Sequence, residues 1–447
     1  MLTALEVRLR RRRCPLSREP LSVPRRTFLR QAGVLAVAGP VLAACSGGLG
    51  GSGGGSTKLT IGFVSPRTGG AAGFGEPDGW VLDQARKALA NGLQVAGKSY
   101  AVEVVDKDSQ SNPQRSAQVA NDLINSNGVD LMLATSTPET VNPVSDACEA
   151  AGVPCISSVV PWEAWYFGRG AKEGQPSPFK FTYHFCFGTE QFHKSYTSLW
   201  PQVPTNKKVG VMWPNDADGN AVRKSLGPLL TQSGYTIVDP GAYTDGTNDF
   251  SAQIAQFKAE NCEIFNTFPL PPDFATFWRQ AAQQGYKPKI AQIAKTGLFS
   301  SQIEAQGQLG IGLAGATYWA PTWPYKSSLT GLTSQQLGDG YSNALNKQWN
   351  QQLGPSVALF DVAAAALKAA PDPKNKTALA KAISTLTVDT PVGTLAWGKG
   401  PVPNVVATPI LAGQWRKGTG RFPLEYVICE NANDPNVPVA SRLQPYA

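Results

Sequence analysis

Residues 59–75 read LTIGFVSPRTGGAAGFG, and this stretch sets the pattern for the rest of the chain. Its first six residues form a short apolar run, which predicts a buried strand, and the glycine-rich remainder predicts a loop. Apolar residues then recur at helical spacing at Val81, Ala85 and Leu89. The stretch therefore predicts one unit of strand, loop and helix.

The same unit recurs in two successive runs. The first run predicts strands at 100–105, 129–134 and 154–158, a helix that begins at Asn112-Pro113 and another over 139–151. The second run predicts strands at 209–213, 235–238 and 264–268 and helices at 220–233, from Asp249 and at 273–284, and the next predicted strand is 313–319. Strands that alternate with helices predict parallel sheets covered on both faces. We therefore predict an α/β protein with two doubly wound, Rossmann-like lobes.

Ligands of such sheets bind beyond the carboxyl ends of the strands. The loops that follow the predicted strands are therefore the places to look for a binding site. They are residues 65–75, 135–140, 158–166, 213–219 and 268–273.

The first 45 residues have the pattern of an export signal. Arg25-Arg26 forms a twin arginine, and Leu42-Ala43-Ala44-Cys45 resembles the lipobox of bacterial lipoproteins. The apolar run between them, about 14 residues, is too short to span a bilayer as a helix. We expect export by the twin-arginine route, lipid attachment at Cys45, a Gly/Ser tether over 46–57 and anchoring on the outer face of the cytoplasmic membrane. The alternative is a leader without lipid, in which Cys45 occurs by chance.

The net charge of +8 is a property of the leader, because residues 1–45 hold nine arginines and two glutamates. The rest of the chain is close to neutral, so no basic patch favours nucleic acid as a partner. With His184 and His193 as the two histidines and no C-x-x-C motif, we expect no metal site and no cofactor. Five cysteines follow the leader, an odd number, so at least one is a free thiol. A disulfide among them and five buried thiols both stay open.

Several segments, in order along the chain, resemble one protein family. Ile61-Gly62-Phe63-Val64-Ser65-Pro66, with Thr68-Gly69 and Phe74-Gly75 after it, is similar to the start of type I periplasmic binding proteins. Further similar segments are 108–113, 151–157, 248–254 and 271–274. Over about 58–415 the chain is identified as a member of the branched-chain amino acid (leucine/isoleucine/valine) binding family of ABC transporter substrate-binding proteins.

The resemblance implies a type I periplasmic binding protein fold, in which three crossovers join two lobes that close on one small molecule. The implied first lobe is 58–184 with about 296–396, and the second is 185–295 with about 397–447. The resemblance implies no catalysis. It implies a monomer that hands an amino acid, or an aromatic or apolar relative, to ABC permease subunits in the membrane. Two other functions are weighed: an exported α/β enzyme, which two histidines make hard to assemble, and a ligand-sensing subunit for a membrane signalling partner, which would have the same fold.

The resemblance also implies ligand contacts. Thr135-Ser136-Thr137 follows the third strand, where the family offers hydroxyl and backbone N–H groups to a ligand carboxylate, and plain helix capping is the alternative. Asp273 matches an acidic residue that meets the ligand ammonium in amino-acid-binding members, or it caps a helix. Phe74 falls where many members have a tyrosine. Asp218 is a lesser candidate on another loop of the second lobe, where it would otherwise be a turn residue.

The loop after the fourth strand departs from the family pattern. Members that bind amino acids usually have a threonine there, whereas Pro161, which cannot donate a hydrogen bond, lies in this loop. Aromatic residues follow it, and others lie beside further loops of the expected cleft. They predict aromatic walls for an aromatic or apolar ligand, or else they fill the lobe cores. The candidate contacts from this pattern are Ser158, Val159, Trp162, Trp213 and Trp319.

Overall fold

The computed structural model describes residues 57–446, so the predicted leader, the lipid site Cys45 and the tether up to residue 56 lie outside the described residues. The described chain is built on two seven-stranded sheets and a two-stranded hairpin. Numbered along the chain, the strands are β1 (Thr57–Ser65), β2 (Leu93–Val95), β3 (Lys98–Asp108), β4 (Leu131–Thr135), β5 (Cys155–Ser158), β6 (Thr182–Phe185), β7 (Lys208–Met212), β8 (Thr236–Val238), β9 (Ile264–Thr267), β10 (Ile290–Ile293), β11 (Ala314–Thr317), β12 (Thr387–Thr390), β13 (Gly393–Ala396), β14 (Val405–Val406), β15 (Leu411–Lys417) and β16 (Leu424–Glu430).

Helices connect the strands and pack against the sheets. Along the chain they are α1 (Ala72–Gly75), α2 (Asp78–Ala88), α3 (Pro113–Asn125), α4 (Pro138–Ala151), α5 (Trp162–Tyr166), α6 (Thr189–Leu199), α7 (Ala217–Gln232), α8 (Ser251–Ala259), α9 (Pro271–Gln283), α10 (Ser300–Glu304), α11 (Ser334–Leu345), α12 (Leu353–Ala369) and α13 (Lys376–Ser384).

Both large sheets are doubly wound. The first has the strand order β14-β6-β5-β4-β1-β3-β2, and its neighbouring strands are parallel except for the edge pair β2 and β3. The second has the order β16-β15-β11-β10-β9-β7-β8, with β15 and β16 antiparallel at one edge. In each sheet the order reverses once, between β1 and β4 and between β7 and β9, which is where such sheets form a binding crevice. The predicted fold class of two doubly wound α/β lobes is confirmed.

The chain crosses between the two sheets three times, after β6, after β11 and after β14, which confirms the three-crossover connection. Two crossing points differ from the expected boundaries. Because β11 belongs to the second sheet, the first lobe resumes after Thr317 rather than near 296. Because β14 pairs with β6, the first lobe extends past 397 to Val406. The sequence pattern did not predict β10, because this strand has only four residues and one of them is the polar Gln292, so the expected second lobe ends too early.

Side-chain caps set the helix starts that matter for the cleft. Asn112 accepts a hydrogen bond from the Arg115 N–H at 2.8 Å, with Pro113 in the first turn, as predicted for α3. Asp216 accepts one from the Gly219 N–H at 2.6 Å. This cap begins α7 at Ala217 rather than at 220, and it places Asp218 in the first helical turn.

The central strands of both sheets are buried on both faces. All residues of β4, β5 and β9 are buried, as expected for parallel strands covered by helices. Helix α12 is buried nearly all round and packs against the strands of the first sheet. Its N-terminal end therefore lies deep in the molecule, close to the second crossover.

Two further properties concern residues 57–446. Cys148, Cys155, Cys186, Cys262 and Cys429 are buried free thiols. No helix in this part of the chain is both long enough and apolar enough to span a membrane.

Candidate functional site

A cavity lies at the carboxyl ends of the two sheets, where open α/β sheets bind ligands. The space between the protein atoms at this site is about 440 Å³, part of it open to solvent, which is within the range of small-molecule pockets. An occupant is therefore limited to a small molecule. The wall is formed by residues of both lobes and of the crossovers, namely Phe74, Thr137, Val159, Pro161, Phe187, Phe192, Asp218, Phe268, Ala294, Lys295, Leu298, Ala316, Tyr318 and Ile410.

Three residues of the wall have a left-handed backbone although none is a glycine. The angle φ is 64° at Thr137, 62° at Val159 and 45° at Lys295. Such conformations cost about 1–3 kcal/mol each, and they are least favourable for a β-branched side chain such as that of Val159. Because strained residues of this kind cluster at ligand sites, their presence on one wall supports this cavity as the functional site.

Five of the fourteen wall residues are aromatic. Phe187, in the first crossover, stacks on Tyr318, in the second, with ring centroids 5.5 Å apart and planes inclined by 23°. Phe187 also meets Phe192 of α6 edge to face at 5.0 Å, and Phe192 meets Phe268 in the same way at 5.1 Å. Phe74 closes the wall from the first lobe. This aromatic wall suits an apolar ligand body.

One side of the cavity carries buried charges. Lys295 Nζ lies 2.7 Å from Asp216 Oδ2 and 3.0 Å from Asp218 Oδ2. The side chains of Lys295 and Asp218 are only 9% and 5% exposed. The second oxygen of Asp216 is also used, because it accepts the capping hydrogen bond from the Gly219 N–H. The second oxygen of Asp218, Oδ1, is buried and has no hydrogen-bond partner among the described residues.

Burial and mutual attraction shift the pKa values of this group. Burial raises the pKa of Asp218 to about 6, although Lys295 acts to lower it. Burial alone would lower the pKa of Lys295, but Asp218, Asp216 and Glu139 raise it well above its ordinary value. Lys295 therefore stays protonated near neutral pH, where Asp218 is mostly ionised. Within residues 57–446, no group of three or more histidine, cysteine or acidic side chains is placed to hold a metal ion.

Four of the ligand contacts predicted from the sequence lie on the cavity wall: Phe74, Thr137, Val159 and Asp218. Thr137 occupies the N-cap position of α4, yet its side chain makes no capping hydrogen bond. Capping therefore does not explain this hydroxyl group, and it stays available to a ligand.

Three other predicted contacts lie behind the wall, which corrects their expected placement. Thr135 Oγ1 accepts a hydrogen bond from Gln352 Nε2 at 2.9 Å and lies 2.7 Å from Ser136 Oγ. The Ser158 hydroxyl donates to the Phe185 carbonyl oxygen at 2.8 Å. These hydroxyl groups are buried and already bonded, so their role in the structure is to join strand ends and helix α12.

The three predicted tryptophan contacts are also absent from the wall. These side chains pack within the lobes, which was the alternative to contact with a ligand. Trp213 is buried and donates its Nε1–H to Asn266 Oδ1 at 2.9 Å. Trp319 is buried and donates to Ser334 Oγ at 3.2 Å. Trp162 lies at the start of α5, 5.8 Å from the Phe167 ring.

Asp273 does not line the cavity either. Its Oδ1 accepts a hydrogen bond from the Gly246 N–H at 3.0 Å, and burial raises its pKa. The capping alternative is also wrong, because Leu270 is the N-cap residue of α9 and Asp273 lies inside the first turn. In this chain Asp218 is the acidic residue on the cavity wall.

Several wall residues were not among the predicted contacts. Phe268 ends the predicted strand 264–268, so its position at a carboxyl end could have been recognised. Phe187 follows β6, a strand that was not predicted. Lys295 follows β10, the strand that was not predicted, so its loop was not among the predicted binding loops. Phe192 lies in α6, within the first crossover, and the sequence pattern does not specify the path of that crossover. Tyr318 lies near the carboxyl end of the predicted strand 313–319, so its place on the wall could have been recognised.

Comparison with known proteins places this architecture in a family. The family model described as "Periplasmic binding protein" matches residues 58–420. A curated relative, a Leu/Ile/Val-binding protein homologue of Brucella melitensis, is 24% identical over 272 residues, which are 59% of this chain. The chain spans 63% of the length of that relative.

Two solved structures share the fold. One is a leucine-binding protein of Thermotoga maritima, with a TM-score of 0.67 and 19% identity over 85% of this chain and 99% of the other. The second is a solute-binding protein of an ABC transporter of Rhodopseudomonas palustris in complex with 3,4-dihydroxybenzoic acid. Its TM-score is 0.67, with 18% identity over 83% of this chain and 96% of the other.

Proposed function

Because this chain belongs to the periplasmic binding protein family, we propose that it is an extracytoplasmic solute-binding lipoprotein of an ABC importer. The family and the fold are those of substrate-binding proteins, which are not enzymes. In this function the chain binds one small molecule between its lobes and delivers it, chemically unchanged, to permease subunits in the membrane.

The observation that carries the proposal is a small cavity with wall residues from both lobes. Phe74, Thr137 and Val159 come from the first lobe, and Asp218 and Lys295 come from the second. A ligand can favour the closed arrangement of two lobes only if it contacts both of them. This wall offers contacts on each side. The proposed site comprises these residues together with the aromatic wall.

The proposed ligand is an amino acid or an aromatic or apolar relative. The small cavity limits the ligand to a compact molecule, and the rings of Phe187, Phe192 and Phe268 suit an apolar body. The solved relatives named above are a leucine-binding protein and a protein in complex with 3,4-dihydroxybenzoic acid. Both kinds of ligand fit the description.

The membrane anchor is the second part of the proposal. It rests on Arg25-Arg26, on the lipobox ending at Cys45 and on the tether that follows. We expect mass spectrometry of the membrane-extracted protein to find lipid on Cys45. The Cys45→Ser variant should appear in the soluble fraction instead, and a variant that stays in the membrane fraction would contradict lipid anchoring.

The binding function is tested by calorimetry and solution scattering on the purified full-length chain. Leucine, isoleucine, benzoate and 3,4-dihydroxybenzoate are titrated first, followed by a wider panel of small metabolites. We expect saturable binding of one ligand and a fall in the radius of gyration when it binds. Ligand turnover, or binding without compaction, would overturn the proposal.

A matched pair of variants ties binding to the cavity. Phe268→Ala removes a ring from the wall, whereas Phe250→Ala removes an equally buried ring from the core of the second lobe. Both variants lose stability, but we expect only Phe268→Ala to weaken binding, by roughly tenfold or more. Equal effects on affinity would place the ligand elsewhere.

A further inference from the structure

We infer that Asp218 binds a positively charged amine of the ligand, so that the site selects small amine-bearing molecules with an apolar body. This inference rests on the proposed function and narrows it. It assigns the charged contact to the first turn of α7 and not to Asp273.

Asp218 has an acceptor oxygen that no described residue uses. One oxygen of Asp218 is held by Lys295 Nζ at 3.0 Å, whereas the other is buried without a hydrogen-bond partner. The residue lies on the cavity wall and is 4% exposed. A buried carboxylate oxygen without a partner is costly, and a donor on the ligand would remove that cost.

The charged groups around this oxygen favour a cation. Lys295 carries the positive charge, and three acidic residues besides Asp218 interact electrostatically with Lys295 or with its neighbours. Asp216 precedes α7, Glu139 belongs to the first turn of α4 in the first lobe, and the more exposed Asp245 lies in the loop after β8. One cation faces four carboxylates, so this side of the cavity stays net negative.

A ligand carboxylate is disfavoured at the same place. Lys295 is the cation on the wall that could attract one, but it already forms ion pairs with two carboxylate oxygens, at 2.7 Å and 3.0 Å. A third carboxylate would be repelled by Asp216, Asp218 and Glu139 at low dielectric. An ammonium group would be attracted by the same carboxylates, and the faces of nearby aromatic rings would stabilise it further.

Two other acids of the second lobe are less suited to this role. Asp216 uses one oxygen for Lys295 and the other to cap α7. Asp273 also has a buried oxygen without a hydrogen-bond partner among the described residues, but Asp273 is absent from the wall. Asp218 is therefore the acid that combines a place on the wall with a free oxygen.

The inference is tested with probes that share a carbon skeleton and differ in their charged groups. Leucine, isoamylamine and 4-methylpentanoate form one series, and phenylalanine, phenethylamine and 3-phenylpropionate form an aromatic series. Calorimetry on the full-length chain should show binding of at least one amine-bearing probe. Its carboxylate-only counterpart should bind roughly thirtyfold more weakly or not measurably.

The matched variants are Asp218→Asn and Asp273→Asn, two acids of equal exposure in the same lobe. We expect Asp218→Asn to weaken amine binding roughly thirtyfold or more, and Asp273→Asn to leave it unchanged. The comparison of probes on the unaltered chain does not depend on either variant folding.

A pH series gives an independent readout. Protonation of Asp218 and of the neighbouring Asp245, both with a pKa that burial raises to about 6, removes negative charge from the side of the cavity that holds the amine. Isoamylamine should therefore bind less tightly at pH 5 than at pH 7.5, whereas 4-methylpentanoate should not lose affinity in this range.

The inference is wrong if the carboxylate-only probes bind as tightly as the amines, if Asp218→Asn leaves amine affinity unchanged, or if no amine-bearing probe binds. Failure of the proposed function is a different result. In that case no small molecule, with or without an amine, binds and compacts the chain.

Discussion

The side chain of Arg169 is 1% exposed and lies between two aromatic rings. Its guanidinium carbon is 4.6 Å from the centroid of Trp165 and 4.1 Å from that of Phe179. Nε donates to Asp146 Oδ1 at 2.7 Å, and Nη1 donates to Thr182 Oγ1 at 3.1 Å. At the scale of the residue, this site requires a guanidinium, because a planar group with donors in fixed positions can stack on aromatic rings and donate hydrogen bonds at the same time.

Arg169→Lys should therefore lower the free energy of unfolding by about 2–4 kcal/mol, since an ammonium cannot reproduce both the stacking and the paired hydrogen bonds. Urea unfolding measures the change. The control is Arg86→Lys, because Arg86 also binds an aspartate, Asp106, but its side chain is 43% exposed. We expect a change within about 0.5 kcal/mol for the control. A similar loss in both variants would contradict this account of Arg169.

At the scale of the element, the segment before α12 joins the lobes. Gln351 Nε2 donates to the Ala316 carbonyl oxygen at 2.9 Å, and Gln351 Oε1 accepts from the Tyr318 N–H at 3.0 Å. The next residue, Gln352, accepts from the Tyr318 hydroxyl at 3.3 Å and donates to Thr135 Oγ1 at 2.9 Å. Two neighbouring amides thus hold the second crossover, which carries a wall residue of the cavity, against the first lobe.

Gln351→Ala leaves two buried backbone groups of the crossover without partners. We expect it to lower the free energy of unfolding by about 2–4 kcal/mol, as for two unsatisfied buried polar groups. Gln335→Ala is the control, because Gln335 is exposed and its Nε2 donates only to the side chain of Asp339 among the described residues. Thermal and urea unfolding compare the two variants. If Gln351→Ala were as mild as its control, the amide would not be holding the crossover.

At the scale of the whole molecule, buried acids set the response to pH. Burial raises the pKa of Asp78 and Asp218 to about 6 and that of Asp361 and Glu430 to about 7. The folded chain therefore binds more protons than the unfolded chain between about pH 4 and 7. The contribution of these groups to the free energy of unfolding is largest at low pH and is lost as pH rises through 6–7. Buried His184 acts in the opposite sense, because burial lowers its pKa to about 3 and folding stability falls as pH drops below about 6.5.

The four acids outweigh one histidine, so the free energy of unfolding should rise by about 2 kcal/mol from pH 7 to pH 6. Asp361→Asn should reduce this rise by about 1 kcal/mol, because it removes one of the groups with the higher pKa. Chemical unfolding at a series of pH values measures both quantities. A stability that falls from pH 7 to pH 6 would show that the histidine dominates instead.

Part of the site could be predicted from the sequence, because a loop that follows a parallel strand must lie at the carboxyl edge of the sheet. Phe74, Thr137, Val159 and Asp218 all follow strands that the sequence pattern predicts, and all four lie on the cavity wall. Asp273 satisfied the same criterion and yet faces Gly246, because a residue in the first turn of a helix can be directed toward the cleft or toward a neighbouring loop. The sequence pattern does not distinguish these directions.

The sequence by itself determined the alternation of strands and helices, the two doubly wound sheets and the edge at which a ligand could bind, since these follow from apolar periodicity and from the handedness of parallel connections. Only the tertiary structure decided which charges meet there. Lys295 and Asp216 lie 79 positions apart and form an ion pair at 2.7 Å, because separate strands of one sheet end side by side. Burial of that pair, and of the free oxygen of Asp218, depends on the lobes packing together, and no local pattern in the sequence encodes such packing.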